Sequence, residues 1–181
     1  MRTSRRSFLK QVVPPAAGTG LIGTWAMAPA ADRDAANTRP EFKLYPIGIV
    51  EKRDDTVHIL IFDEYADGLL GLDGWSHVQV LYWFDKNDTP QQRRILQVHP
   101  RGNPNHPLTG VFACRAPVRP NLIGLSVCRI LSIRDHRITV DELDAFDGTP
   151  VLDLKPFIPP DVPTQSVRMP EWARGGKSAG R

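Results

Sequence analysis

The sequence predicts an all-β fold: one domain, an antiparallel barrel with short helical turns and an irregular C-terminal tail. Three observations carry this. Eight short segments are rich in β-branched and aromatic residues, and several alternate apolar and polar with period two. No long amphipathic helical stretch separates them. Seventeen prolines and fourteen glycines in 181 residues supply the turns that many short strands require. A sheet of that many strands with no covering helices hides its apolar face most simply by closing on itself.

In order, the strand-like segments are KLYPIGIV (43–50), TVHILIF (56–62), HVQVLYWF (77–84), RILQVH (94–99), GVFAC (110–114), IGLSVCRILSIR (123–134), RITVDEL (137–143) and VLDL (151–154). In the second, Val57, Ile59 and Ile61 fall on one face and His58, Leu60 and Phe62 on the other. DDT, RDH and DGTP punctuate the run as turns. EYADGLLGLDGW (64–75) is the one helix candidate, and its glycines limit its length. Tyr82, Trp83 and Phe84 could stack on bases, but their strand-like setting predicts core burial for at least two of them.

The chain divides into four parts. Residues 1–31 read as a twin-arginine export signal. Arg5 and Arg6 precede Phe8 and Leu9, a broken apolar stretch follows, and Ala28-Pro29-Ala30 resembles a cleavage site. The expected location is therefore outside the cytoplasm, with the cytoplasm as alternative if the signal is not read. Residues 32–42 form a polar leader, 43–160 the barrel domain, and 161–181 a mobile tail. GTGLIG (18–23) fits a dinucleotide-binding pattern, but no strand precedes it, so the pattern has no mechanical meaning there.

The signal also accounts for the net charge of +3. Four basic and no acidic residues lie in 1–31, so the remaining 19 basic and 20 acidic residues leave −1. Overall basicity therefore implies no polyanionic partner. The distribution is more specific, because Arg93 through Arg137 holds eight arginines against one acid, Asp135. Cys114 and Cys128 lie in apolar runs and read as small buried hydrophobes, although export would permit a disulfide. The five histidines fit no zinc spacing, and no metal site is expected.

Two stretches depart from ordinary strand and turn sequence: HPRGNPNHPLTGVFACRAPVRPNLIGLS (99–126) and LDAFDGTPVLDLKPFIP (143–159). Both set charged side chains beside prolines, which stiffen irregular backbone. A stiff loop bearing Arg115 and Arg119 suits an anion, since guanidinium pairs bidentately with carboxylate or phosphate. The competing reading pairs both arginines with Asp144, Asp147 or Asp153 to pin the loops together.

GVFACRAPVRPNLIGLSVCRIL and LDAFDGTPVLDLKPFIP, with YPIGIV (45–50), EYADGLLGLDGWSHVQVLYWF (64–84) and HPRGN (99–103), resemble the TsaA-like, TrmO-type family over about residues 43–160. Its characterised bacterial enzyme methylates N6-threonylcarbamoyladenosine in tRNA. The resemblance implies a β-barrel, a homodimer, tRNA as partner and S-adenosylmethionine as cofactor. It implies cofactor contacts at Asp85, Lys86, Arg115, Leu125, Glu142, Leu143 and Asp144, and substrate contacts at Arg119 and Asn121. His77 and Asp147 are the candidates for a catalytic base. This chain runs from IGIV through EKRDD to TVHILIF, lacking the family's proline-arginine-glutamine loop there, and has Phe84-Asp85 in place of Phe-His. A second reading follows: an exported, repurposed, non-catalytic barrel that binds an anionic small molecule through the Arg115/Arg119 loop.

Overall fold

The computed structural model describes residues 40–159 and 168–174. The signal segment, the glycine pattern at 18–23, most of the leader and the rest of the tail lie outside the described residues. The elements below all fall within the unit Phe42–Arg181.

Among the described residues eight strands form: β1 (Gly48–Arg53), β2 (Thr56–Ile61), β3 (His77–Trp83), β4 (Gln97–Val98), β5 (Thr109–Gly110), β6 (Ile123–Arg134), β7 (Arg137–Val140) and β8 (Pro150–Pro156). Six of them close into a barrel in the order β1-β2-β7-β6-β3-β8, with every neighbouring pair antiparallel. The closing contact is short: Gly48 opposes Val151 and Ile49 opposes Pro150. It is extended by Ile47 N–H donating to Val151 O (2.8 Å) and Val50 N–H to Thr149 O (2.9 Å). Closure leaves no open edge on this sheet.

Alternation selects the interior. Val78, Val80 and Tyr82 of β3 point inward, as do Ile59 and Ile61 of β2, Ile138 and Val140 of β7, and Val50, Cys128 and Val151 from the others. Gly48 lets β1 and β2 approach closely, because a Cβ there would lie 2.2 Å from Leu60 O. Two of the expected turns are two-residue hairpins. Arg53 opposes Thr56 across Asp54-Asp55, and Arg134 opposes Arg137 across Asp135-His136. Asp54, Asp135 and His136 take φ of 51°, 44° and 60°, the left-handed region that short polar residues tolerate better than branched ones.

Four sequence expectations are corrected. The barrel has six strands, not eight: 94–99 and 110–114 contribute only β4 and β5, which pair with each other outside it. A capped turn displaces the start of the first of these, since Thr89 Oγ1 accepts from Gln92 N (3.2 Å) over helix α1 (Pro90–Arg93). Residues 43–47 lie before β1, and β7 stops at Val140. The helix candidate becomes two 3-10 turns, Asp63–Leu69 and Leu72–Gly74, split at Gly71 (φ 80°). In the tail, helix α2 (Glu171–Arg174) sets the Trp172 ring 6.1 Å from that of His106. Among the described residues no helix is long and apolar enough to cross a membrane.

Cys114 and Cys128 are both free thiols. Burial among the inward residues, reinforced by the negative charge of Asp141 and Glu142, pushes the Cys128 thiol up to about 12. In a thiol-reagent titration of the folded chain at mildly alkaline pH, Cys114 is expected to react and Cys128 only after unfolding. Equal rates would contradict the inward register of β6.

Candidate functional site: an arginine-pinned loop at one barrel end

The segment from β5 to β6 contains a 3-10 turn, Val111–Ala113, and then irregular chain through Pro117 and Pro120. Its ends are anchored by Val111 and Leu122, 1% and 0% exposed. Between them the Arg119 guanidinium supplies the hydrogen bonds that regular structure would otherwise provide. Its Nε donates to Ala116 O (2.9 Å), and its Nη2 donates to Val111 O (2.7 Å) and Cys114 O (2.8 Å). A second arginine joins α1 to the same loop. Arg93 donates from Nη1 to Pro120 O (3.2 Å) and from Nε to Asp88 Oδ1 (2.7 Å), with its guanidinium 5.2 Å from the Trp83 ring centre. Trp83 Nε1 donates to Asp88 Oδ2 (3.1 Å), and these two bonds hold the Asp88 carboxyl below its ordinary range.

Arg115, on the same pinned loop, is exposed and makes no hydrogen bond or ion pair among the described residues. The aspartate pairing considered for Arg115 and Arg119 does not form. Asp147 Oδ1 accepts from Lys52 N (2.8 Å), Asp153 pairs with Lys155 (2.7 Å), and Asp144 is engaged through its carbonyl.

The connection from β7 to β8, residues 141–149, crosses the end of the barrel where β3 stops and β6 starts. Asp141 Oδ1 accepts from the backbone N–H of Arg129 (2.9 Å) and Glu142 (2.8 Å). Burial alone would raise that carboxyl, but these bonds and the Arg129 charge hold it below its ordinary range. Leu143 drops into the core at 4% exposure. Tyr82 O–H donates to Asp144 O (2.8 Å) and lies 3.4 Å from Ser126 Oγ. Gly148 turns the chain at φ 77°, and Thr149 Oγ1 donates to Asp85 Oδ1 (3.4 Å), whose other oxygen pairs with Lys86 (3.1 Å).

The register completes the arrangement, with Trp83 opposite Ile123, Tyr82 opposite Gly124 and Leu81 opposite Leu125. Gly124 has no room for a side chain, since a Cβ would sit 2.4 Å from the Tyr82 ring. Burial pushes the Tyr82 hydroxyl up, against the opposing effect of its contact with Ser126. Asp85, Lys86, Arg115, Glu142, Asp144 and Asp147 are thus carried by elements that meet at one end. The carboxylates of Glu142 and Asp144 make no hydrogen bond or ion pair among the described residues.

Leu143, Leu125, His77 and Asn121 complete the expected set. Leu143 can offer only its backbone, and Leu125 stands 42% exposed on the outer face of β6. His77 opens β3, separated from Trp83 by six residues or roughly 20 Å of strand. It packs edge-on to Phe157 (6.3 Å) with Ser76 Oγ 2.9 Å from Nδ1. Asn121 is exposed, its carbonyl accepting from Ile123 N (2.7 Å). Sequence reasoning missed the Tyr82–Ser126–Asp144 junction. The period-two pattern aims Tyr82 inward, but nothing in the pattern supplies the carbonyl its hydroxyl reaches. No group of three His, Cys, Asp or Glu placed to hold a metal occurs among the described residues.

The fold is thus a closed antiparallel barrel with an arginine and two carboxylates at one end that make no ion pair among the described residues. Residues 41–161 match the tRNA-methyltransferase O N-terminal domain family, and the chain belongs to it. A probable S-adenosyl-L-methionine-binding protein of Methanocaldococcus jannaschii is 47% identical over 116 residues, 64% of this chain and 92% of its own length. A mouse (Mus musculus) tRNA (adenine(37)-N6)-methyltransferase is 40% identical over 98 residues, 54% of this chain and 22% of its length. Among solved structures, TrmO from Pseudomonas aeruginosa superposes with a TM-score of 0.57 at 26% identity, covering 75% of this chain. This chain spans 63% of that one.

Arg119→Ala removes three acceptors' donor at once. The expected result is a loss of about 2 kcal/mol of stability and of amide-exchange protection across residues 111–122, which Arg119→Lys does not restore. Unchanged exchange in Arg119→Ala would show that the prolines alone hold the loop.

Proposed function

We propose that this chain binds S-adenosylmethionine at the Arg115 end of the barrel and methylates N6 of a tRNA adenosine, the threonylcarbamoyl-modified adenosine beside the anticodon. The single observation that carries the reading is Arg115: a guanidinium with no hydrogen bond or ion pair among the described residues, on a loop that Arg119 holds stiff. The residues fit such a ligand, which bears a carboxylate together with ammonium and sulfonium cations. Arg115 suits the carboxylate, and the unpartnered Glu142 and Asp144 suit the cations. Asp85 and Lys86, tied through Thr149, would border the same site.

When bound, the sulfonium supplies an electrophilic methyl group. The protein's part is to orient, exclude water and take up a proton. Orientation comes from a loop whose carbonyls are already satisfied, so little reorganisation accompanies binding. Transfer of that methyl to N6 would release the N6 proton, which a carboxylate at this end would take up. Of the two base candidates, Asp147 lies at this end and His77 does not. Self-association is part of the proposal: Leu125, Val127 and Leu131 stand 42%, 47% and 52% exposed along the outer face of β6, an apolar stripe suited to a second copy.

A second reading, an exported barrel that binds an anionic small molecule through Arg115 without catalysis, is favoured by two observations. One is the twin-arginine start. The other is the Asp54-Asp55 hairpin, which stands where the family resemblance places a covering loop.

Calorimetry of the full chain with S-adenosylmethionine tests the first reading. Binding is expected and Arg115→Ala is expected to weaken it at least tenfold, with the melting temperature unchanged. No heat from the unmodified chain at millimolar ligand would remove it. Cell fractionation addresses the second: export that stops when Arg5 and Arg6 become Lys would support it, and cytoplasmic retention of the unmodified chain would count against it.

A further inference from the structure

Phe112 is 83% exposed, and the residue that precedes it is fixed through both its N–H and its carbonyl. Val111 N–H donates to Leu96 O (3.0 Å), and Val111 O accepts from Arg119 (2.7 Å). The Val111 side chain beneath is 1% exposed. The ring therefore projects from a rigid support and contributes nothing to the core. It borders an open hollow of about 760 Å³, within the range of roughly 300–1,000 Å³ typical of small-ligand sites. Arg94, Leu96, Gln97 and Gly110 line the same hollow. The Arg94 side chain is exposed and makes no hydrogen bond or ion pair among the described residues.

Charge selects the occupant. Of the arginines in this stretch, Arg93 is paired with Asp88, Arg129 with Asp141, and Arg119 is bound to carbonyls, whereas Arg94 lies at a hollow whose lining holds no acidic residue, so the hollow suits a phosphate group and disfavours a cationic or purely aliphatic occupant. An exposed aromatic ring flanked by an unpaired guanidinium is the chemistry that receives an unpaired nucleotide, base on ring and phosphate on arginine. Three residues beyond Phe112 on the same pinned loop stands Arg115, assigned above to the methyl donor.

We infer that Phe112 and Arg94 form a stacking subsite for an unpaired nucleotide neighbouring the one that is methylated. This rests on the proposed RNA acceptor and adds to it the position at which the loop of that RNA is gripped. Arg119 acts here as a positioning residue, fixing Phe112 and Arg115 relative to each other.

The test is fluorescence anisotropy of the full chain with a labelled anticodon stem-loop RNA and, as control, a fully paired duplex of the same length. Phe112→Ala is expected to weaken stem-loop binding about tenfold, the scale of one lost base stack, and to leave duplex binding within twofold. Phe112→Trp should retain it. Arg94→Ala should reduce the slope of log affinity against log salt by about one. Calorimetry with S-adenosylmethionine should give the same donor affinity for Phe112→Ala as for the unmodified chain. Several results would overturn the subsite: unchanged stem-loop affinity in Phe112→Ala, equal losses on both RNAs, or a loss that tracks dissociation of a dimer in sizing experiments. The last would make Phe112 a contact between copies. If the unmodified chain binds no RNA, the acceptor reading falls and the subsite with it. If it binds RNA and Phe112→Ala matches it, only the subsite falls.

Discussion

One guanidinium organises the functional end of this protein. Between Val111 and Leu122 the chain forms no ladder and carries two prolines, so carbonyls that a strand would satisfy are left to be met by other donors. Arg119 meets three of them from two of its nitrogens. A lysine could not do so in a plane, because its ammonium presents three donors around a point. The consequence is a division of labour between two arginines four residues apart: Arg119 is used internally, and Arg115 stays available. Arg93, bridging Asp88, Trp83 and Pro120 O, ties the far side of the loop to the end of β3.

The 141–149 connection is built on the same economy, with its polar groups anchored to different parts of the barrel. Asp141 ties it to β6, Asp147 to β1, Thr149 to Asp85 beyond β3, and the Asp144 carbonyl to Tyr82. Four anchors on four elements leave little independent motion in the chain between them, while Glu142 and Asp144 keep their carboxylates outward. The Tyr82 junction matters most, because it spans β3, β6 and this loop with a single buried ring, and Gly124 exists to admit that ring. A buried hydroxyl with a satisfied bond rigidifies; the same hydroxyl unsatisfied would destabilise.

These anchors bear on the proposed methyl transfer, which would ask the protein mainly for position. A stiff cradle of mixed charge at a barrel end offers that. The β1–β2 hairpin narrows the comparison with the family, since its two-residue turn provides no cover at that edge. Cover at that end then falls to the arginine loop and the 141–149 connection.

The amino-acid sequence by itself determined the all-β class, the barrel strands β2, β3 and β6 nearly to the residue, the start of β7, and the two hairpin turns. These depend on period-two alternation and on Asp and His at left-handed positions, both local properties. It also marked the two loops that matter, because arginines and aspartates beside prolines are visible in a string of letters. Tertiary structure decided which arginine is spent and which is available. Arg115 and Arg119 are the same residue type in the same kind of context, and only the positions of three carbonyls distinguish them. It likewise decided that 94–99 and 110–114 stay outside the barrel, that Leu143 is core, and that His77 lies a strand's length from Asp85. Each of those outcomes depends on which distant backbone atoms come within reach, and chain-local patterns carry no information about that distance.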